Sequence, residues 1–253
     1  MTDKPTTAAL VIIGNEVLSG RTQDANTQYL AGELKTLGIR LVEVRIIADV
    51  EDAIINAVNA LRAAHDYVFT TGGIGPTHDD ITSASVARAF GVALVRDPQA
   101  VEWLRGHYKS DDDLTPERLK MAEVPEGAAL VANPISKAPG YRIGNVYVLA
   151  GVPRIMQAMF DGIRHDLKGG PPQIAMTVAG LVAEGQIARP LADIQTAHPE
   201  CEIGSYPFIR GANLGTSVVV RATDRGALDV VTGKVELAFR DLGILPKVTE
   251  GEA

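Results

Sequence analysis

Three glycines and two aspartates crowd one stretch of the chain: Gly72, Gly73 and Gly75, then Asp79 and Asp80. An apolar, partly β-branched run at residues 67–71 precedes them and reads as a buried strand. Pro76 and Thr77 read as the start of a helix whose apolar residues continue through residues 81–90. Glycines let a backbone turn sharply and approach a ligand, and a helix N-terminus with free N–H groups attracts anions. The chemistry expected of strand, glycine loop and helix is therefore phosphate binding. Asp79 and Asp80, expected in the first helical turn, either complement the helix dipole or hold a divalent cation beside the phosphate. Neither Gly-x-Gly-x-x-Gly nor the Gly-Lys-Ser/Thr of a P-loop occurs at this turn.

Other polar residues recur at the ends of apolar runs. Gly14-Asn15-Glu16 follows the continuous apolar run 8–13, with Asp24 and Asn26 downstream. Asp24 reads as an N-cap or as a ligand contact. Lys137, in the loop ending at Gly140, offers a positive charge to a phosphate or is a solvated surface residue. Gly151 and Pro153 end a strand and open a helix, a second terminus that faces anions. His78 could reach a phosphate or act as an acid, or is a helix-start surface residue; His65, Trp103 and Tyr108 read as structural or packing residues.

These residues need a frame. Strands are expected at 8–13, 40–48, 67–71 and 92–95, helices at 24–37, 50–64, 81–90 and 100–108, and the alternation predicts a doubly wound, mainly parallel sheet. An exposed acidic loop at 109–114, a short helix capped by Thr115-Pro116, and a turn and strand at 125–131 follow. A hairpin around Gly144-Asn145 and a helix at 154–167 complete the segment. Gly169-Gly-Pro-Pro172 reads as a linker. Beyond it a β-α-β-β-α order is expected: strand 174–181, helix 184–196 broken or restarted at Pro190, strands 202–206 and 216–223, and helix 226–242. No structure is expected after Leu245. The domains expected are 1–168 and 173–245.

Composition narrows the classes. The chain has 253 residues and a formal net charge of −7, so a broad basic nucleic-acid surface is not expected. A single cysteine, Cys201, excludes an internal disulfide framework and a zinc site of clustered thiolates. With no signal-peptide core in residues 1–7 and no apolar run of membrane-spanning length, a cytoplasmic location without membrane partners is expected.

The full string Thr70-Thr-Gly-Gly-Ile-Gly-Pro-Thr-His-Asp-Asp-Ile-Thr82 resembles the signature of the molybdopterin-binding domain family (MoaB, MogA, MoeA), in the version carried by the competence/damage-inducible protein CinA. Gly14, Glu16, Gly20, Asp24 and Asn26 match the family's Gly-Asp-Glu, Gly and Asp-x-Asn, with Asn15 where the family has Asp. Residues 136–140 resemble its Thr-Ala-Pro-Gly loop, with Lys137 at the Thr position. Residues 173–242, including Gly204-Ser-Tyr-Pro207, resemble the small domain that follows in CinA-like proteins.

The resemblance implies a three-layer α/β domain followed by a small α+β domain. It implies ligand contacts from Gly14, Asn15, Glu16, Asn26, Thr71, Gly72, Gly73, Gly75, Pro76, Thr77, Lys137, Gly140, Gly151 and Pro153. Asp80 and Asp79 would be catalytic, and Asp80 and Glu16 would hold a divalent metal (Mg²⁺, Co²⁺ or Ni²⁺). The activity implied is metal-dependent hydrolysis of nucleotide pyrophosphates of the ADP-ribose or FAD type. The alternative is binding of molybdopterin or its adenylyl adduct without turnover, and a third is a non-catalytic fold serving oligomerisation or interaction; Asn15 favours either of these two. The expected partner is a small nucleotide or pterin phosphate, and a homo-oligomer, dimer or trimer, is expected by analogy. The C-terminal amidohydrolase domain of long CinA proteins is expected to be absent.

Overall fold

A computed structural model of the chain describes residues 5–108, 110–211 and 213–251. Residues 1–4 and Lys109, the first residue of the expected acidic loop, lie outside the described residues. The chain divides into two compact units, Met1–Gly170 and Pro171–Ala253.

The first unit runs β1 (Thr6–Ile13), α1 (Asn15–Leu18), α2 (Asn26–Thr36), β2 (Ile39–Ile47), α3 (Glu51–Ala64), β3 (Tyr67–Thr71), α4 (Thr82–Phe90), β4 (Leu94–Arg96), α5 (Pro98–Arg105), α6 (Pro116–Lys120), β5 (Glu123–Pro125), β6 (Ala129–Val131), β7 (Gly140–Ile143), β8 (Val146–Leu149) and α7 (Pro153–Ile163). Its main sheet has the order β2-β1-β3-β8-β7-β6. The first four strands are parallel, and β7 and β6 are antiparallel to their neighbours.

The unbroken apolar run of β1 reflects burial on both faces. Ala8, Leu10 and Ile12 belong to one core with Leu30, Leu34, Met156, Met159 and Phe160 from α2 and α7. Ala9, Val11 and Ile13 belong to the other, with Ile54, Val58, Leu61 and Val86 from α3 and α4. Two helical layers thus sandwich the sheet, the three-layer α/β architecture. Phe69 stacks on Tyr147 at 5.3 Å between ring centres, tying β3 to β8. The Gly144-Asn145 turn joins β7 to β8 as the sequence indicates.

The second unit comprises β9 (Ile174–Gly180), α8 (Glu184–Ala197), β10 (Glu202–Arg210), β11 (Asn213–Ala222), α9 (Arg225–Asp241) and β12 (Lys247–Glu250). Its antiparallel sheet has the order β10-β11-β9-β12, and Ile187, Leu191, Val231, Val235 and Phe239 from the two helices share its core. Two expectations need correction. The helix does not break at Pro190: α8 is continuous, because Ile187, Leu191 and Ile194 pack into the core on either side of the proline and outweigh its lost N–H. The tail beyond Leu245 is not structureless. Residues 247–250 pair with β9, and the half-buried Val248 packs against the core. A four-residue edge strand takes its stability from its partner and leaves little local pattern.

Candidate functional site

The carboxyl ends of β1, β3 and β8 lie side by side, and the loops that leave them carry most of the residues singled out in the sequence. Ligands in open α/β sheets gather at such ends. Backbone contacts pack the loops tightly. The Gly72 N–H donates to the Leu149 carbonyl at 3.3 Å, and the Gly14 N–H donates to the Ile47 carbonyl at 3.1 Å. A Cβ on Gly72 would stand 2.1 Å from the Ile13 carbonyl oxygen, and φ at Gly72 is +103°. Only glycine fits where the β3 loop crosses the end of β1.

Asn26, at the start of α2, spans the site. Its Nδ2 donates to the Gly151 carbonyl at 2.9 Å, while its Oδ1 is buried with no hydrogen-bond partner in the protein. The hydroxyls of Thr70 and Thr71, at the end of β3, are likewise buried and unpartnered. Buried polar atoms are normally satisfied, so the orphans Asn26 Oδ1 and Thr71 Oγ1, on the α2 face of the sheet, leave bonds there for a ligand or water to supply, while Thr70 points to the opposite face. Asp24 accepts from the Asn26 N–H at 2.9 Å and the Thr27 N–H at 3.3 Å, which is capping geometry. Asn15 and Glu16 are exposed beside Gly14, and the Asn15 N–H donates to Asp49 Oδ2 at 2.8 Å.

The glycine loop departs from expectation. Pro76 and Thr77 do not start the helix, and Asp79 and Asp80 do not lie in its first turn. α4 begins at Thr82, whose N–H donates to the Gly73 carbonyl at 3.0 Å and whose hydroxyl donates to the Gly72 carbonyl at 3.0 Å. Residues 77–80 instead form a turn closed by Asp80. Its Oδ2 accepts from the Thr77 N–H at 2.8 Å and from the Thr77 hydroxyl. A carboxylate three residues after a threonine satisfies the same N–H groups that a helix start would leave open, so the two structures share one sequence signal. Asp79 is exposed, and the Thr77 hydroxyl, which it shares with Asp80, then its own backbone N–H, hold its carboxyl below the usual carboxylate range. His78 is exposed on the same turn.

Beside this turn lies a small cleft with Gly73, Gly75, Asp80, Ser83, Lys120 and Tyr141 among its walls. Lys120 Nζ donates to the Thr77 carbonyl at 2.6 Å. Lys120, Ser83 and Tyr141 are not marked by sequence pattern. Lys120 ends a short helix and reaches the glycine loop through tertiary packing alone. Tyr141 is fully buried, and burial pushes its hydroxyl pKa well above the ordinary tyrosine range. The cation expected in the site, Lys137, is exposed with φ +61° in a loop organised by the buried Asn133, and it is not among the cleft's lining residues. Gly140 is buried at the start of β7, and Gly151 and Pro153 are exposed at the start of α7.

The donor set bears on the metal. Among the described residues no group of three or more His, Cys, Asp or Glu side chains comes together as a metal shell. Asp79, Asp80 and Glu16 do offer hard oxygen donors. They suit Mg²⁺ in its common mode, in which one or two carboxylates share the ion with a ligand's phosphates.

Comparison with known proteins follows this geometry. The family model described as "Probable molybdopterin binding domain" matches residues 9–168, and the model described as "FAD synthase, middle domain" matches residues 174–247. The chain belongs to the molybdopterin-binding domain family, in the branch related to the N-terminal part of CinA. A protein of Pyrobaculum calidifontis is 37% identical over 212 residues, 79% of this chain and 80% of that one. A CinA-like protein of Syntrophus aciditrophicus is 35% identical over 78% of this chain, which spans 50% of that protein's length. The crystal structure of CinA from Thermoplasma acidophilum superposes with a TM-score of 0.60 at 33% identity, over 64% of this chain and 97% of that one. Among the described residues, no helix is long and apolar enough to cross a membrane.

Proposed function

We propose that this protein binds a nucleotide pyrophosphate of the ADP-ribose or FAD type at the carboxyl ends of β1, β3 and β8 and hydrolyses it. The observation that carries this reading is the glycine-built loop after β3, held by Lys120 at Thr77, with the buried, unpartnered Asn26 Oδ1 and Thr71 hydroxyl on the α2 face at the end of the same strands. The match of the second unit to the middle domain of FAD synthase supports a flavin- or adenine-nucleotide ligand.

In this reading the amides around Gly72, Gly73 and Gly75 receive the phosphate oxygens, and Lys120 adds positive charge at the loop. Asp80 holds the turn that presents those amides. Asp79, kept ionised by its hydrogen bonds, orients a water molecule. The water oxygen bonds to one phosphorus while its proton passes to solvent, the bridging P–O bond breaks, and its electron pair leaves on the second phosphate. Asp80 and Glu16 would hold a divalent ion shared with the phosphates, whose chemistry is to neutralise the developing negative charge.

The test is product analysis by liquid chromatography after incubation with ADP-ribose, FAD, NAD or coenzyme A and Mg²⁺, Co²⁺ or Ni²⁺. Release of AMP that depends on metal and falls with Asp79→Asn supports the hydrolase. No release from any of them, together with saturable binding of molybdopterin, would move the protein to cofactor handling without turnover. The uncharged Asn15 is the observation that keeps this second reading alive.

A further inference from the structure

Strand β2 is the longest edge strand of the main sheet, nine residues hydrogen-bonded on one side only, to β1. Its alternate residues Val42, Val44 and Ile46 are 49%, 40% and 44% exposed. Long edge strands invite pairing with another strand and are usually blunted by charges, lysine above all, by proline, by a bulge or by a very short length. β2 is nine residues long with no lysine or proline, and its charges Glu43 and Arg45 neutralise each other. Its one irregularity is a bulge at Val42, which leaves residues 43–47 in regular register with β1.

The charges on this strand select the partner. Glu43 and Arg45 flank Val44 and pair with each other at 2.7 Å, with Arg45 Nε donating to Glu43 Oε1. In an antiparallel pairing of β2 with a second copy of itself, the two-fold axis fixes which residues oppose. An axis at Glu43 sets glutamate against glutamate, and one at Arg45 sets arginine against arginine. An axis at Val44 sets Glu43 opposite Arg45 of the other copy twice over and Val44 opposite itself, all within the regular stretch 43–47. Opposite charges and β-branched pairs stabilise cross-strand neighbours, while like charges directly opposite destabilise them. We propose that β2 is the interface of a two-fold homodimer, paired antiparallel about Val44, which joins the main sheets of two copies into one continuous sheet.

The test measures mass in solution by light scattering coupled to size exclusion, using the full chain. The wild type is expected to run at the mass of two chains. Glu43→Arg and Arg45→Glu each place like charges opposite and are expected to run as one chain. The double reversal Glu43→Arg/Arg45→Glu restores the opposition and is expected to return to two chains. Glu43 also lies 3.4 Å from His65 Nε2, a contact that Arg45→Glu leaves in place, so the two single variants control for each other. Thermal melts of each variant report its fold. A wild type of one chain, an assembly that both single reversals leave intact, or a double reversal that stays dissociated would overturn the proposal. An independent reading comes from Val44→Cys under mild oxidation. Directly opposed strand residues lie within disulfide reach, and the native Cys201 is buried. A covalent dimer is expected, and its absence would equally overturn the register.

Discussion

The Asp80 carboxylate accepts from both the backbone N–H and the hydroxyl of Thr77, and Lys120 binds the carbonyl of that same threonine at 2.6 Å. Thr77 is thus held from two sides, by a neighbour in sequence and by a residue 43 positions away. The shape of the glycine loop depends on both.

Replacing Asp80 should therefore act first on the loop. Asp80→Asn retains one acceptor oxygen but loses the charge that shortens these hydrogen bonds. The expected result is a stability loss of at most about 1 kcal/mol, because the group is partly exposed, with a much larger fall in ligand affinity or turnover. Thermal denaturation and AMP release measured on the same preparation separate the two. A variant that keeps full activity would remove Asp80 from the site.

Gly72 and Gly20 offer a controlled comparison. Both have positive φ, +103° and +74°, but a Cβ at Gly72 meets the Ile13 carbonyl at 2.1 Å while one at Gly20 meets nothing within 4 Å. Gly20→Ala should cost about 1 kcal/mol of backbone strain. Gly72→Ala should cost about 3 kcal/mol or more, since the ends of β1 and β3 must separate. Denaturant midpoints for the two variants check the difference.

Asn26 joins the start of α2 to the loop after β8. Asn26→Leu preserves its size and leaves the Gly151 carbonyl without its donor. A stability loss of about 1–3 kcal/mol is expected. Binding of a phosphate ligand, followed by calorimetry on the folded variant, should weaken beyond what the stability loss explains, because the orphaned Oδ1 is gone as well.

Tyr29 provides a pH signature away from the site. Burial, reinforced by its hydrogen bond to Asp161 at 2.9 Å, pushes its hydroxyl pKa up to about 12. Because the folded value lies above the unfolded one, the neutral phenol stabilises the fold fully below about pH 10, and this contribution is lost as pH rises towards 12. Alkaline unfolding monitored by tyrosine absorbance should begin in that window, and Tyr29→Phe should remove this part of the pH dependence.

Much of the fold was legible because its elements announce themselves locally. The unbroken apolar run of β1 and the helical stripe of Ile54, Val58 and Leu61 are one-dimensional consequences of burial. The glycine loop was legible as a sharp, close-packed turn for the same reason, since only glycine tolerates the contact at Gly72. The helix start was misread because Pro76, Thr77 and Asp80 satisfy backbone N–H groups equally well in a closed turn. Residues 247–250 were missed because their order comes from β9.

The sequence by itself thus determined the alternation of strands and helices, the double-sided burial of the central strands, and the glycines that end β3. These follow from local sterics and from the period of hydrophobic burial. Only the tertiary structure decided that Lys120 reaches the glycine loop, that Asn26 meets Gly151, and that β2 stands at an open edge. Each of these relations joins segments distant in the chain, or depends on which neighbour a strand lacks. Sheet order and helix packing set them, and neither leaves a mark in the spacing of residues along one segment.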